Sequence, residues 1–181
     1  MFSSISYSIG SWFRKPRAKI LMCGLDASGK TSIIYNLVHG KMLISSITIG
    51  VNVDSVSFGN FTLDIWDIGK SQIYQHYYES TRGLVFVVDS VDPDRFNEAK
   101  ESLKELLQVS QLQNTIILVL ANKQDLANAA NIDELSKILG LSSINERKWL
   151  IKGTSANTGE GILGGFEWLS QQIQKEPDNP E

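Results

Sequence analysis

The sequence predicts an α/β fold: a mostly parallel, six-stranded sheet with helices on both faces. Three observations predict it. Short apolar runs alternate with segments whose apolar residues recur every three to four positions, as strand–helix units require. Two of these runs, Leu84 to Asp89 and Thr115 to Ala121, are apolar at nearly every position, which suits strands covered on both faces. A glycine-rich string, Gly24-Leu25-Asp26-Ala27-Ser28-Gly29-Lys30-Thr31, separates the first apolar run from the first helical one.

Each element has a local reason. Phe2, Ile5, Ile9, Trp12 and Phe13 fall on one face of a helix, Ser3, Ser4, Ser6, Ser8 and Ser11 fall mostly on the other, and Pro16 ends the pattern. Ala18 to Cys23 is the first strand, and Lys30 to Val38 the helix after the loop, with Ile33, Ile34, Leu37 and Val38 setting its period. Val51 to Phe58 and Phe61 to Trp66 form a hairpin that turns at Gly59-Asn60. After the strand Leu84 to Asp89, Asp92 is placed to cap a helix with Pro93 at its first position. That helix turns Phe96, Ala99, Leu103, Leu106 and Leu107 to one side. Thr115 to Ala121 is the next strand, and Ile132 to Leu139 a short helix closed by Gly140. Trp149 to Lys152 is the last strand, and Gly161 to Ile173 the last helix, with Ile162, Phe166, Leu169 and Ile173 inward. The division expected is residues 1–16 as an N-terminal amphipathic helix, 17–175 as the folded domain and 176–181 as a polar tail without structure.

Bulk properties exclude several classes. A chain of 181 residues, 42% hydrophobic and 20% charged, suits one globular domain. A net charge of −3 argues against non-specific nucleic-acid binding. The single cysteine, Cys23, has no partner for an internal disulfide, so a reducing, cytoplasmic setting is expected, with Cys23 packed rather than catalytic. No apolar run is long enough to span a bilayer.

The chemistry lies in the loops after the strands, where ligands of such sheets bind. The string from Gly24 to Thr31 matches G-x-x-x-x-G-K-[ST] in its required strand–loop–helix context. Glycines let the backbone curl so that successive N–H groups point at phosphate oxygens, and the helix N-terminus adds positive potential. Lys30 would reach the β and γ phosphates and the Thr31 hydroxyl would ligate Mg²⁺. Asn122-Lys123-Gln124-Asp125 follows a strand. An Asp there accepts from both N1–H and the exocyclic amine of guanine, a donor pair that adenine lacks. Asn122 and the Lys123 stem would hold the ring, and Thr154-Ser155-Ala156-Asn157, before the last helix, could lend a backbone N–H to the guanine oxygen.

With Trp66-Asp67-Ile68-Gly69 between those two strings, the chain resembles an Arf-family (Arf or Arf-like) small GTP-binding protein over roughly Ala18 to Lys175. Thr48-Ile49-Gly50-Val51-Asn52 is similar to the family's T-I-G-F-N, and Val87-Val88-Asp89-Ser90 and Ala121 to Leu126 also match. The resemblance implies a small-GTPase fold and a guanine-nucleotide switch that moves between cytosol and membrane. It implies phosphate contacts at Gly24, Asp26, Ala27, Ser28, Gly29, Lys30, Thr31 and Ser32, γ-phosphate sensing at Thr48, Gly69 and Lys70, and guanine contacts at Asn122, Lys123, Asp125, Ser155 and Ala156. Thr31 and Thr48 would bind the metal directly and Asp67 through water; Lys30 and Asp67 are the candidate catalytic groups. GTP or GDP with Mg²⁺ is the implied ligand set. The implied partners are exchange factors and effectors at switch I, the hairpin and switch II, with a monomer as the expected state.

The chain departs from the family where catalysis would reside. The family string W-D-x-G-G-Q reads Trp66-Asp67-Ile68-Gly69-Lys70-Ser71 here, and aligning His76-Tyr77 with the family's H/C-Y leaves switch II about four residues short. The second glycine and the glutamine that orients the attacking water are both missing. Gln72, one position late, is the one candidate substitute. Turnover is therefore expected to be very slow. The usual Phe and Pro of switch I are Val51 and Ile47, which alters the surface offered to partners; Trp66 can serve as core or as contact.

The N-terminal face adjoins Arg14, Lys15, Arg17 and Lys19, a basic cluster in an acidic chain. That pattern suits a helix lying in a membrane interface, and also one stored on the domain. Phe2 stands where N-myristoylation needs Gly, so that anchor is not expected. Reversible attachment to endomembranes, the Golgi first, in vesicle and protein transport is the expectation. Two rivals stay open: a GTP-binding recruiter without turnover, and an ATP-using enzyme such as a kinase, against which Asp125 argues.

Overall fold

Alternate residues of a strand face opposite sides of a sheet, so a strand apolar at every position must be covered twice. That rule shapes this molecule. The structure is a computed structural model that describes residues 15–40, 51–68 and 77–176. Its strands are β1 (Arg17–Gly24), β2 (Val51–Phe58), β3 (Phe61–Ile68), β4 (Thr81–Asp89), β5 (Ile116–Asn122) and β6 (Trp149–Gly153). Its helices are α1 (Lys30–His39), α2 (Phe96–Gln108), α3 (Ile132–Leu139) and α4 (Ile162–Lys175). The sheet order is β2-β3-β1-β4-β5-β6. All neighbours are parallel except β2 and β3, which pair antiparallel with Phe58 opposite Phe61.

One core lies on each face. Ile20 and Met22 of β1, Val85 and Val87 of β4 and Leu118 and Leu120 of β5 pack with Ile33 of α1 and with Phe166, Leu169 and Ile173 of α4. The intervening residues Leu21, Cys23, Leu84, Phe86, Val88, Ile117 and Val119 pack with Phe96, Ala99, Leu103 and Leu106 of α2 and with Leu135 of α3. The four inward residues expected for α4 are all buried, and so is Cys23. Leu107 is only partly buried at the margin of the second core. Among the described residues no helix is long and apolar enough to cross a membrane.

Local signals act largely as expected, with one exception. Gly59 turns the hairpin at φ +60°, and Gly140 closes α3 at φ +69°. Asn131 caps α3 by accepting the Glu134 N–H at 2.8 Å. Asp92, expected to cap α2, caps nothing with its side chain. A 3-10 turn, Pro93–Arg95, intervenes, and α2 begins one turn later at Phe96. The proline's preset φ starts the turn without a side-chain acceptor. Strand ends also extend beyond the apolar runs, to Ile68 in β3 and back to Thr81 in β4, because ladder pairing and not hydropathy sets where a strand stops.

The N-terminal face from Phe2 to Phe13, Thr48, Gly69, Lys70 and Gln72 all lie outside the described residues.

Candidate functional site

Parallel strands end together, so Asp67 near the end of β3 and the loops after β1, β5 and β6 meet at one end of the sheet. The loop after β1 curls through three left-handed residues, Gly24 at φ +140°, Ala27 at φ +59° and Gly29 at φ +95°. Mixed right- and left-handed residues turn neighbouring N–H groups toward one side, which makes an anion-binding concavity. Ala27 is strained there, a cost of order 1 kcal/mol that surrounding contacts must offset. Two glycines are dictated by space. A Cβ on Gly24 would lie 2.3 Å from the Val87 carbonyl oxygen, and one on Gly29 would lie 2.3 Å from Asn122 Nδ2.

Lys30 opens α1 directly after this loop. Its ammonium donates to the carbonyl oxygens of Gly24 at 3.0 Å and Leu25 at 2.9 Å. Burial pushes its pKa down, opposed chiefly by the Asp67 carboxylate. The next residue, Thr31, donates its hydroxyl to Asp67 Oδ2 at 2.6 Å. Asp67 is fully buried at the end of β3, and burial pushes its pKa up against the pull of Thr31 and Lys30. Ser32 follows in the first turn of α1. Asp26 stands at the exposed crown of the loop, where Arg95 holds its carboxylate at 2.7 Å and its pKa below the ordinary value.

Asn122 is the joint of the site. It is 1% exposed; its Nδ2 donates to the Ser28 carbonyl at 2.9 Å, and its Oδ1 accepts the Ala156 N–H at 2.9 Å. One side chain thus ties the loop after β1 to the loop after β6. The Ala156 N–H, expected to face a base oxygen, is bonded within the protein. Lys123 takes a left-handed backbone at φ +70° and pairs with Asp89. Asp125 is exposed, accepts from Asn157 Nδ2 at 3.1 Å, and is kept acidic first by the Ser155 hydroxyl and then by Asn157. The buried Ser155 in turn accepts the Thr158 N–H at 3.0 Å. Ser90 and Gln124, which lie in the quoted motifs but to which the sequence alone assigns no role, brace these loops. The Gln124 amide donates to Ser90 Oγ at 2.9 Å and to the Ala130 carbonyl at 3.0 Å, and Ser90 N–H donates to the Asn122 carbonyl at 3.1 Å.

The residues present fit a nucleotide with a hard divalent cation. Among the described residues, Ser28 Oγ in the curled loop and Asp67 Oδ1 beside Thr31 are buried polar atoms without a protein partner. Such atoms are costly unless something else satisfies them. A hydroxyl and a carboxylate side by side are the oxygen donors that Mg²⁺ takes. Trp66 is half-buried, 5.5 Å from the Tyr77 ring, with the Lys19 ammonium 4.6 Å from its centroid, so it joins core to surface.

Comparison with known proteins agrees with this geometry. The structure of the Arl6 BBS3 small GTPase from Trypanosoma brucei with bound nucleotide analogue GppNp is similar to this one at a TM-score of 0.80 and 28% identity. The match covers 89% of this chain and 99% of that one. The family model of the ADP-ribosylation factor family matches residues 2–173. The chain therefore belongs to the ADP-ribosylation factor family of small GTPases.

Proposed function

We propose that this Arf-family chain is a guanine-nucleotide-binding switch that exchanges GDP for GTP, is recruited to endomembranes in vesicle-mediated transport, and hydrolyses GTP very slowly. The observation that carries the reading is Asn122, which holds the anion-shaped loop and the base-side loop in one rigid unit. The similar structure contains a GTP analogue, which supports the same ligand class here.

In this reading the curled backbone from Gly24 to Gly29 and the N-terminus of α1 receive the phosphates. Lys30 exchanges its two loop carbonyls for phosphate oxygens. Thr31 and Asp67, with Thr48 from switch I, would hold Mg²⁺, which when bound supplies charge neutralisation at the phosphates. Asp125 selects guanine, with Lys123, Ser155 and Ala156 framing the base.

Hydrolysis to GDP and phosphate depends on positioning water and stabilising charge. Gly69-Lys70-Ser71 lacks the family's water-orienting glutamine. Loss of one positioned donor costs about 10²–10³ in rate in comparable sites. A chain without measurable turnover, acting as a GTP-bound recruiter, is the second reading, favoured by the same three residues. The membrane part rests on the apolar face from Phe2 to Phe13 and the neighbouring basic residues, and the Golgi is the first compartment to examine.

Three measurements test the proposal. Titration with fluorescent GDP and a GTP analogue, with ATP as competitor, should show binding that ATP does not displace. Single-turnover hydrolysis should run far below an ordinary family member assayed in parallel; an equal rate would show that Gln72 or another group positions the water. Trp12→Ala combined with Phe13→Ala should release the GTP-analogue form from highly curved liposomes, and undiminished co-sedimentation would remove the helix as the anchor.

A further inference from the structure

An arginine outside every nucleotide motif reaches into the phosphate loop. Arg95 closes the 3-10 turn that leads into α2, and Phe96, Ala99 and Leu103 bury that helix against the sheet. From this fixed base its Nη2 bonds Asp26 Oδ1 at 2.7 Å and its Nη1 donates to the Asp26 carbonyl at 3.3 Å. Its Nε also bonds Glu98 Oε2 at 2.7 Å. The contact spans 69 positions of sequence. It grips both the side chain and the backbone of the residue before strained Ala27.

The charge balance makes the contact more than a surface pair. Asp26 puts a carboxylate on the crown of a loop shaped to attract anions. An uncompensated carboxylate there repels phosphate through a partly solvated medium, where close like charges act over several ångströms. As a purely structural tie the pair counts for little, since the side chains are 31% and 56% exposed. Its effect on a bound anion is larger, because the unit charge sits within the loop that would receive it.

Resting on the guanine-nucleotide reading above, we infer that Arg95 is a positioning residue for nucleotide binding: it neutralises Asp26 and holds the crown of the phosphate loop so that the loop accepts phosphate. Arg95 acts through Asp26 and need not touch the nucleotide. Glu98 shares the same guanidinium through Nε and Nη2, so Glu98→Gln leaves more of the Arg95 charge to offset Asp26 and leaves affinity unchanged or tighter. If Arg95 served only to fasten the start of α2, loss of Glu98 would weaken binding along with stability.

The test is titration of the full chain with fluorescent GDP and a non-hydrolysable GTP analogue in Mg²⁺ buffer, at low and at high salt. Arg95→Ala is expected to weaken both nucleotides on the order of tenfold at low salt, with the ratio to wild type shrinking at high salt. Arg95→Lys keeps the charge and loses the fork, and falls between the two. Asp26→Ala combined with Arg95→Ala should bind more tightly than Arg95→Ala alone, since the repelling charge is gone. Should Arg95→Ala not fold, the Arg95→Lys series against wild type and the double variant against Asp26→Ala carry the same comparison; removing Arg95 should cost little once Asp26 is absent. Arg95→Ala binding within about twofold of wild type, or a double variant no tighter than Arg95→Ala, overturns the inference while leaving the nucleotide reading intact. A wild-type chain that binds neither nucleotide overturns both.

Discussion

Replacing Asn122 by alanine removes a side chain that bonds two loops at once. The structure sets the expected cost. Asn122 is 1% exposed, and its loss leaves the Ser28 carbonyl and the Ala156 N–H without the partner each has at 2.9 Å. Stranding a buried donor or acceptor costs about 1–3 kcal/mol, so Asn122→Ala should lose about 2–6 kcal/mol. That is a large share of the roughly 5–15 kcal/mol that holds a domain together. At about 2–4 °C per kcal/mol for a chain of this size, the melting temperature should fall by about 4–24 °C. Tryptophan fluorescence during thermal and urea unfolding measures this, with nucleotide concentration held fixed because ligand raises apparent stability. Asn122→Asp refines the test. It keeps an acceptor for Ala156 but sets a carboxylate oxygen against the Ser28 carbonyl, so it should be no more stable than Asn122→Ala. A loss below about 1 kcal/mol in Asn122→Ala would refute the reasoning, because water would then be satisfying both groups and the side chain would not be the joint.

Asp125→Asn should weaken guanine nucleotides and raise affinity for xanthosine triphosphate, because it trades the acceptor pair for a donor that suits the extra xanthine carbonyl; unchanged preference in competition binding removes Asp125 from base selection. Cys23 is buried, and burial pushes its thiol up to about 12, so at pH 8 only about one molecule in 10⁴ carries the thiolate. Iodoacetamide should therefore label it only in denaturant, and rapid native labelling would contradict its place in the core. Gly24→Ala should destabilise by about 2–4 kcal/mol in urea unfolding, since its Cβ would stand 2.3 Å from the Val87 carbonyl and demand φ +140°; a neutral effect would mean that β1 and β4 can part there at no cost.

Elements made by near neighbours were legible in the sequence. The period of Phe96, Ala99, Leu103 and Leu106 specifies a helix and its inward face, because residues three and four apart share a side. The continuous apolar runs of β4 and β5 specify burial on both faces. The strings around Lys30 and Asp125 point to the proposed ligand class, because backbone curvature and paired acceptors are local properties. What the tertiary structure decided depends on partners far along the chain. Asp92 sits in the right local context for a cap, yet the Pro93 turn makes its carboxylate unnecessary. Nothing near Asn122 says that it bonds Ser28 and Ala156, which lie 94 and 34 positions away. Nothing near Asp26 points to Arg95, and nothing near Ser90 points to Gln124, until the strand order brings the loop ends together. The physical reason is that hydropathy and turn chemistry act over a few residues, whereas hydrogen-bond partners are chosen by sheet order and register, which the whole core sets at once.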